Sequence, residues 1–184
     1  LSTPKSIGFV SSSSDVFYFS EDSSNYDYYI PRIIKPEKLK KNLREIKDRL
    51  FPENTSVDIA IYNALKLCKN GGVAVYVGRQ KSMITVLKRI LVLNARAFDL
   101  RSFLVNVDKI QLEKLSNFFS DYYGIENIYS KCCNLGVVSH SSNIPNGIKL
   151  AIEYALKQKH IQIVVCTSTL AQGVNIPIRY LLVT

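Results

Sequence analysis

Ile161-Gln162-Ile163-Val164-Val165-Cys166 runs directly into Thr167-Ser168-Thr169-Leu170-Ala171-Gln172-Gly173-Val174-Asn175-Ile176-Pro177. The first six residues read as a strand, Ile161 to Cys166, apolar without alternation, as a strand covered on both faces should be. Parallel sheets are covered in this way, by helices on each side. The chain from residue 37 onward agrees, because helical stripes alternate there with short β-branched runs.

Working outward, Val57, Ala60, Ile61, Ala64, Leu65 and Cys68 trace one helical face, with Asn54 or Thr55 available as cap and Gly71-Gly72 as stop. A strand is predicted at once after it, Val73 to Val77. Met83, Leu87, Ile90, Leu91 and Asn94 predict a second helix, and Val107, Ile110, Leu115, Phe118, Phe119 and Tyr122 a third, ended near Gly124. Gly136-Val137-Val138 reads as a short strand. Ile148, Ala151, Ile152, Ala155 and Leu156 then predict an amphipathic helix with Pro145 in its first turn. Tyr180 to Val183 begins a further strand. Thr184 ends that strand with no helix to cover it, so the chain reads as a piece of a longer protein, cut at both ends.

Residues 1–36 differ. Val16-Phe17-Tyr18-Phe19, a polar turn over Ser20 to Asp27 and the apolar stretch Tyr28 to Ile34 predict strand, turn and strand. Pro31 and Pro36 place the second stretch at an edge or in a linker from something upstream. Tyr26, Tyr28 and Tyr29 offer stacking surface for bases, although aromatic residues favour hairpin strands in any case.

A chain of 184 residues has room for one sizeable domain, or one with an appendage. Hydrophobic residues at 47% against 21% charged argue for a packed core rather than disorder. The longest apolar runs, Ile161 to Val165 and Tyr180 to Val183, fall far short of the roughly 20 residues of a membrane-spanning helix, so no membrane partner is expected. Leu1 to Val10 lacks the basic and apolar regions of a signal peptide. Cys68, Cys132, Cys133 and Cys166 form no CxxC pair and have no His in ligand spacing, which predicts reduced thiols, no zinc site and a cytoplasmic protein. Lys and Arg number 24 against 15 acids, a formal +9, which favours polyanionic partners. The run Lys35 to Arg49, with seven Lys/Arg and three acids, reads as the solvated face of a helix more readily than as a binding patch.

Chemistry is expected after the buried strand, because ligands of open α/β sheets bind beyond the carboxyl ends of the strands. Thr167, Ser168 and Thr169 present hydroxyls and backbone N–H groups suited to an anion, as phosphate-binding helix N-termini do. Gly173 permits close backbone approach, and Asn175 supplies an amide for a sugar hydroxyl or for bridging a cleft. From periodicity alone, an ordinary Ser/Thr helix cap is an equal reading.

The full string, T-S-T-L-A-x-G-V-N-x-P over Thr167 to Pro177, closely resembles motif V of superfamily 2 helicases, in the DExH branch of Ski/Mtr-like and related DEAD/DEAH-box enzymes. Gly136-Val137-Val138-Ser139-His140-Ser141-Ser142-Asn143-Ile144-Pro145, with Lys149 and Glu153 following, is similar to that family's G-V-x-x-H-H-x-G-L-P…R…E segment. Ser141 replaces the second His, Asn143 the Gly and Lys149 the Arg. Val73 to Arg79 resembles motif IV, a strand ending in a basic turn. The resemblance implies a second RecA-like lobe over residues 37–184: a parallel sheet with helices on both faces, preceded by the hairpin or linker over 1–36.

That resemblance also implies roles. Thr167, Ser168 and Thr169 would contact a sugar-phosphate backbone, Gly173 and Asn175 would face the ATP cleft and couple it to the strand, and Arg79, His140 and Lys149 would lie near the nucleic-acid groove. A lone His such as His140 reads first as a satisfied strand-end residue, and Lys149 equally as the solvent side of its helix. No G-x-x-x-x-G-K-[ST] loop, D-E-x-[DH] tetrad or Q-x-x-G-R-x-G-R motif occurs. ATP and Mg2+ would therefore be held mainly by an upstream lobe, and this chain alone is expected to be inactive. The implied partners are that lobe and single-stranded or duplex RNA or DNA. The alternatives are a non-enzymatic RecA-like scaffold and a translocase of a restriction or defence system.

Overall fold

The computed structural model describes residues 6–10, 15–20, 28–31, 33–100, 107–171 and 176–184. At the start of the chain β1 (Ser6–Val10), β2 (Val16–Ser20) and β3 (Tyr28–Ile30) form an antiparallel sheet of three strands, with Ile7 opposite Phe19 and Phe17 opposite Tyr29. The expected strand, turn and strand thus gains a partner in Ser6–Val10, a stretch interrupted by Gly8 that carries little strand signal. Tyr26 lies outside the described residues. After Pro31 the chain enters the core at Ile33 and Ile34. Lys35 then donates its backbone N–H to the Tyr62 hydroxyl at 3.3 Å.

The basic run is not a helix. β4 (Glu37–Leu39) and β5 (Arg49–Phe51) pair as an antiparallel ribbon with Glu37 opposite Phe51 and Leu39 opposite Arg49. Leu39 and Phe51 turn into the core, Phe51 meeting the Phe98 ring edge-on at 4.8 Å. Lys38 and Lys41 clamp Asp48 across the turn at 2.9 and 2.8 Å. These two ammonium groups, Lys38 first, hold the Asp48 carboxyl down at about 2. Glu45 accepts from Arg96 Nη1 and Nη2 at 2.8 and 2.6 Å and from the Asn42 N–H at 3.1 Å, and the Arg96 guanidinium pulls its carboxyl from 4.5 to about 2. Tertiary contacts to Arg96 and Phe98 hold this charged run as a ribbon where its charges alone suggested a solvated helix face.

α1 (Ser56–Leu67) begins at Thr55, whose Oγ1 accepts from the Asp58 N–H at 3.2 Å. It closes in a 3-10 turn and passes Gly71 into β6 (Gly72–Tyr76). A side chain on Gly72 would place its Cβ 2.7 Å from the Pro177 carbonyl, so only glycine lets the neighbouring strand approach. α2 (Gln80–Ala95) and α3 (Lys109–Tyr123) follow, α3 capped by Asp108 and ended at Gly124. α4 (Ile128–Asn134), only seven residues long and capped by Asn127, is too short to have shown a periodic stripe. β7 (Val137–His140), α5 (Asn146–Lys157), β8 (Ile163–Cys166) and β9 (Ile178–Val183) complete the chain.

The four later strands form a parallel sheet in the order β7-β8-β6-β9. On one face Val73, Val75, Val137, Ile163 and Val165 pack with side chains from α1, α2 and α4. On the other, Ala74, Val138, Val164 and Cys166 pack with Leu115 and Phe119 of α3 and Ile148, Ile152 and Leu156 of α5. β8 is buried along its whole length, the pattern expected of a doubly covered strand. Helices on both faces of a parallel sheet are the architecture the sequence predicts. All four cysteines are buried thiols outside any disulfide, and loss of solvation pushes those of Cys132 and Cys133 up to about 12. No helix among the described residues is long and apolar enough to cross a membrane.

Candidate nucleic-acid interface

The strand order decides where a ligand can enter. β6 and β8 are neighbours, yet the chain leaves β6 towards β7 and leaves β8 towards β9, in opposite directions across the sheet. Leu170 of the loop after β8 packs on the α5 face, whereas the α2 side chains Met83 and Leu87 pack on the opposite face. Loops that part to opposite faces open a crevice beyond the carboxyl ends of the two strands. Arg79 and Thr167 to Thr169 follow the carboxyl ends of β6 and β8 and His140 ends β7, so one edge of the sheet gathers residues spread over 90 positions of sequence.

Hydrogen bonds hold these strand ends level. Val77 donates its N–H to the Cys166 carbonyl at 2.9 Å, and Thr167 donates to the His140 carbonyl at 3.1 Å. Thr184, beyond β9, donates to the Tyr76 carbonyl at 3.2 Å. Arg79 is the exposed N-cap of α2 and forms no ion pair with another described residue. Ser168 is exposed and opens a 3-10 turn over Ser168–Ala171, and Thr167 before it is half-buried. The backbone of Thr169 belongs to the same turn. Gly173 and Asn175 lie outside the described residues. The hydroxyl-rich bend therefore stands at the rim and not inside the core.

Two of the expected contact residues do other work. His140 is only 2% exposed, and its Nε2 lies 3.1 Å from Glu153 Oε1 on α5. A carboxylate accepts, so in this contact a ring N–H at Nε2 donates to Glu153. The strand-end side chain of His140 is thus buried against the helix that follows it, as a satisfied strand-end histidine is. Lys149 is half-buried and donates its Nζ to the Ser142 carbonyl at 3.1 Å, pinning the loop between β7 and α5. Asn143 in that loop donates its side-chain amide to the Gln80 side-chain carbonyl, tying it to the first residue of α2. Sequence reasoning did not find the Gln80 and Asn143 pair, since 63 residues separate the partners and neither type is distinctive.

The α5 N-terminus carries no side-chain cap, so its first N–H groups remain available towards the same edge. The buried Ser139 and Ser141 hydroxyls have no hydrogen-bond partner among the described residues. Such an edge has exposed hydroxyl and guanidinium groups with unspent backbone donors, the equipment for binding an anion through positions rather than through base identity. Among the described residues no group of three or more His, Cys, Asp or Glu is placed to hold a metal ion.

A parallel sheet ordered β7-β8-β6-β9, covered on both faces and open at its switch point, defines an α/β lobe of the RecA-like class. No family model matches the chain. It is 26% identical over 162 residues to the Hachiman protein HamB of Bacillus cereus, an alignment that takes in 88% of this chain and 14% of that protein. The chain thus corresponds to a small part of that relative's length.

Proposed function

We propose that this chain is the second RecA-like lobe of an ATP-dependent nucleic-acid helicase, and that its carboxyl edge grips the sugar-phosphate backbone of one strand. The observation that carries the reading is the convergence of Arg79, Thr167 and Ser168 at the switch point, with the turn after β8 at the rim. Thr167, Ser168, Thr169 and Arg79 take the phosphate contacts, while His140, Lys149 and Asn143 hold the loops that present them. ATP and Mg2+ belong mainly to an upstream lobe, and Gly173 and Asn175 would couple its closure to the grip. Contacts of this kind are sequence-independent, because hydroxyls and amides on phosphate read no base edge.

The test uses the complete protein. Arg79→Ala and Thr169→Ala should each weaken nucleic-acid stimulation of ATP turnover by about tenfold, and Arg79→Ala, at an exposed position, should leave stability within about 1 kcal/mol of the parent. Stimulated turnover equal to the parent's in both variants would overturn the assignment. A second reading, a translocase of a restriction or defence system, is favoured by the likeness to the Hachiman protein HamB. Strand displacement scored beside movement along a track without unwinding separates the two.

A further inference from the structure

The basic run that the sequence assigned to a solvated helix contains two aliphatic side chains that such a face does not explain. Leu43 is 107% exposed and Ile46 93%, at the apex joining β4 to β5. The apex is not loose. Glu45 is fixed by both terminal nitrogens of Arg96, Asn42 closes on the same carboxylate, and Lys41 Nζ donates to the Ile46 carbonyl at 3.2 Å. Lys40 donates its N–H to the Arg96 carbonyl at 3.2 Å, bolting the apex to the end of α2. Both apex acids are thereby used inside the ribbon, Glu45 on Arg96 and Asp48 on Lys38 and Lys41. Lys40, Arg44 and Lys47 remain exposed, with no ion pair to a described carboxylate.

We infer that this apex is a second contact for nucleic acid, made to the duplex part of the substrate, with Leu43 and Ile46 entering the minor groove and Lys40, Arg44 and Lys47 meeting the flanking phosphates. The inference rests on the function proposed above. Three free cations on a chain of net charge +9 call for a polyanion. Aliphatic side chains are used as wedges against duplex base steps, whereas single strands are held by aromatic stacking, and residues 40–48 include no aromatic. An anionic bilayer is the weaker match, since two aliphatic side chains and three cations give only the marginal, reversible attachment of a lone acyl chain. An apex this small adds to a grip already made elsewhere on the same ligand, where effective concentration multiplies a modest affinity.

The experiment measures binding of the complete protein to a labelled forked duplex and to its single strand across a salt series. Lys40→Ala/Arg44→Ala/Lys47→Ala should lower the slope of log affinity against log salt by about 2 to 3 on the fork, at about 0.9 per lost phosphate contact. Leu43→Ser/Ile46→Ser should weaken fork binding about tenfold with the slope unchanged, and neither variant should alter single-strand binding. Parental affinity and slope on the fork in both variants would overturn the apex contact, and loss of binding to phosphatidylserine vesicles in those same variants would assign the apex to a lipid surface instead. If Arg79→Ala then still weakens single-strand binding, the grip stands without the apex. If the unaltered protein binds neither probe, both readings fall.

Discussion

Lys149 shows how a residue chosen for one role serves another. Its Nζ donates to the Ser142 carbonyl and so shapes the loop that also carries Asn143, and Asn143 in turn reaches Gln80 at the start of α2. The consequence for binding is indirect. Lys149→Met should reduce stability by about 1 kcal/mol, the net value of one hydrogen bond, and weaken single-strand affinity less than Arg79→Ala does. The check is a salt series on the complete protein with the single strand, where Lys149→Met should keep the parental slope, as a positioning residue does, while Arg79→Ala loses about 0.7. His140 belongs to the same group, its imidazole held by Glu153 and its carbonyl accepting from Thr167. Through that carbonyl β7 sets the height at which the chain leaves β8.

At the scale of elements, the β4–β5 ribbon depends on titratable groups, which gives it a pH dependence of known sign. Arg96 on Glu45 and Lys38 on Asp48 depress both carboxyls to about 2, from 4.5 and 3.8. A group whose folded value is depressed stabilises above its unfolded value and loses that stabilisation as pH falls through the folded one. The ribbon should therefore remain docked above about pH 4.5 and loosen between pH 4.5 and 2. Amide hydrogen exchange of residues 40–48, relative to β8, reports it. Asp48 is exposed and Glu45 partly so, and salt should blunt the effect. Exchange that is flat across this window would show that Phe51 and Leu39 alone hold the ribbon.

For the whole molecule, one ion pair joins the first helix to the second. Asp58, with a side chain 3% exposed, accepts from Arg89 Nε at 2.7 Å and Nη2 at 2.6 Å and from the Glu53 N–H at 2.9 Å. Arg89→Met should destabilise by about 3 kcal/mol, because it strands a buried carboxylate, and Arg89→Met/Asp58→Asn should recover part of that loss. Urea midpoints at a constant m value measure both. The sequence by itself determined most helices and strands of the lobe from α1 to the apolar run at β8, α4 excepted, since those depend on periodicity and local chemistry between near neighbours. It also marked the hydroxyl-rich turn, whose side chains lie next to one another along the chain. Only the tertiary structure decided that Lys35 to Arg49 folds as a ribbon, that His140 faces Glu153 and that Gln80 meets Asn143. Each of those outcomes depends on a partner far away in sequence, Arg96, α5 or the β7–α5 loop, and the free energy of such contacts exists only once the sheet has brought them together.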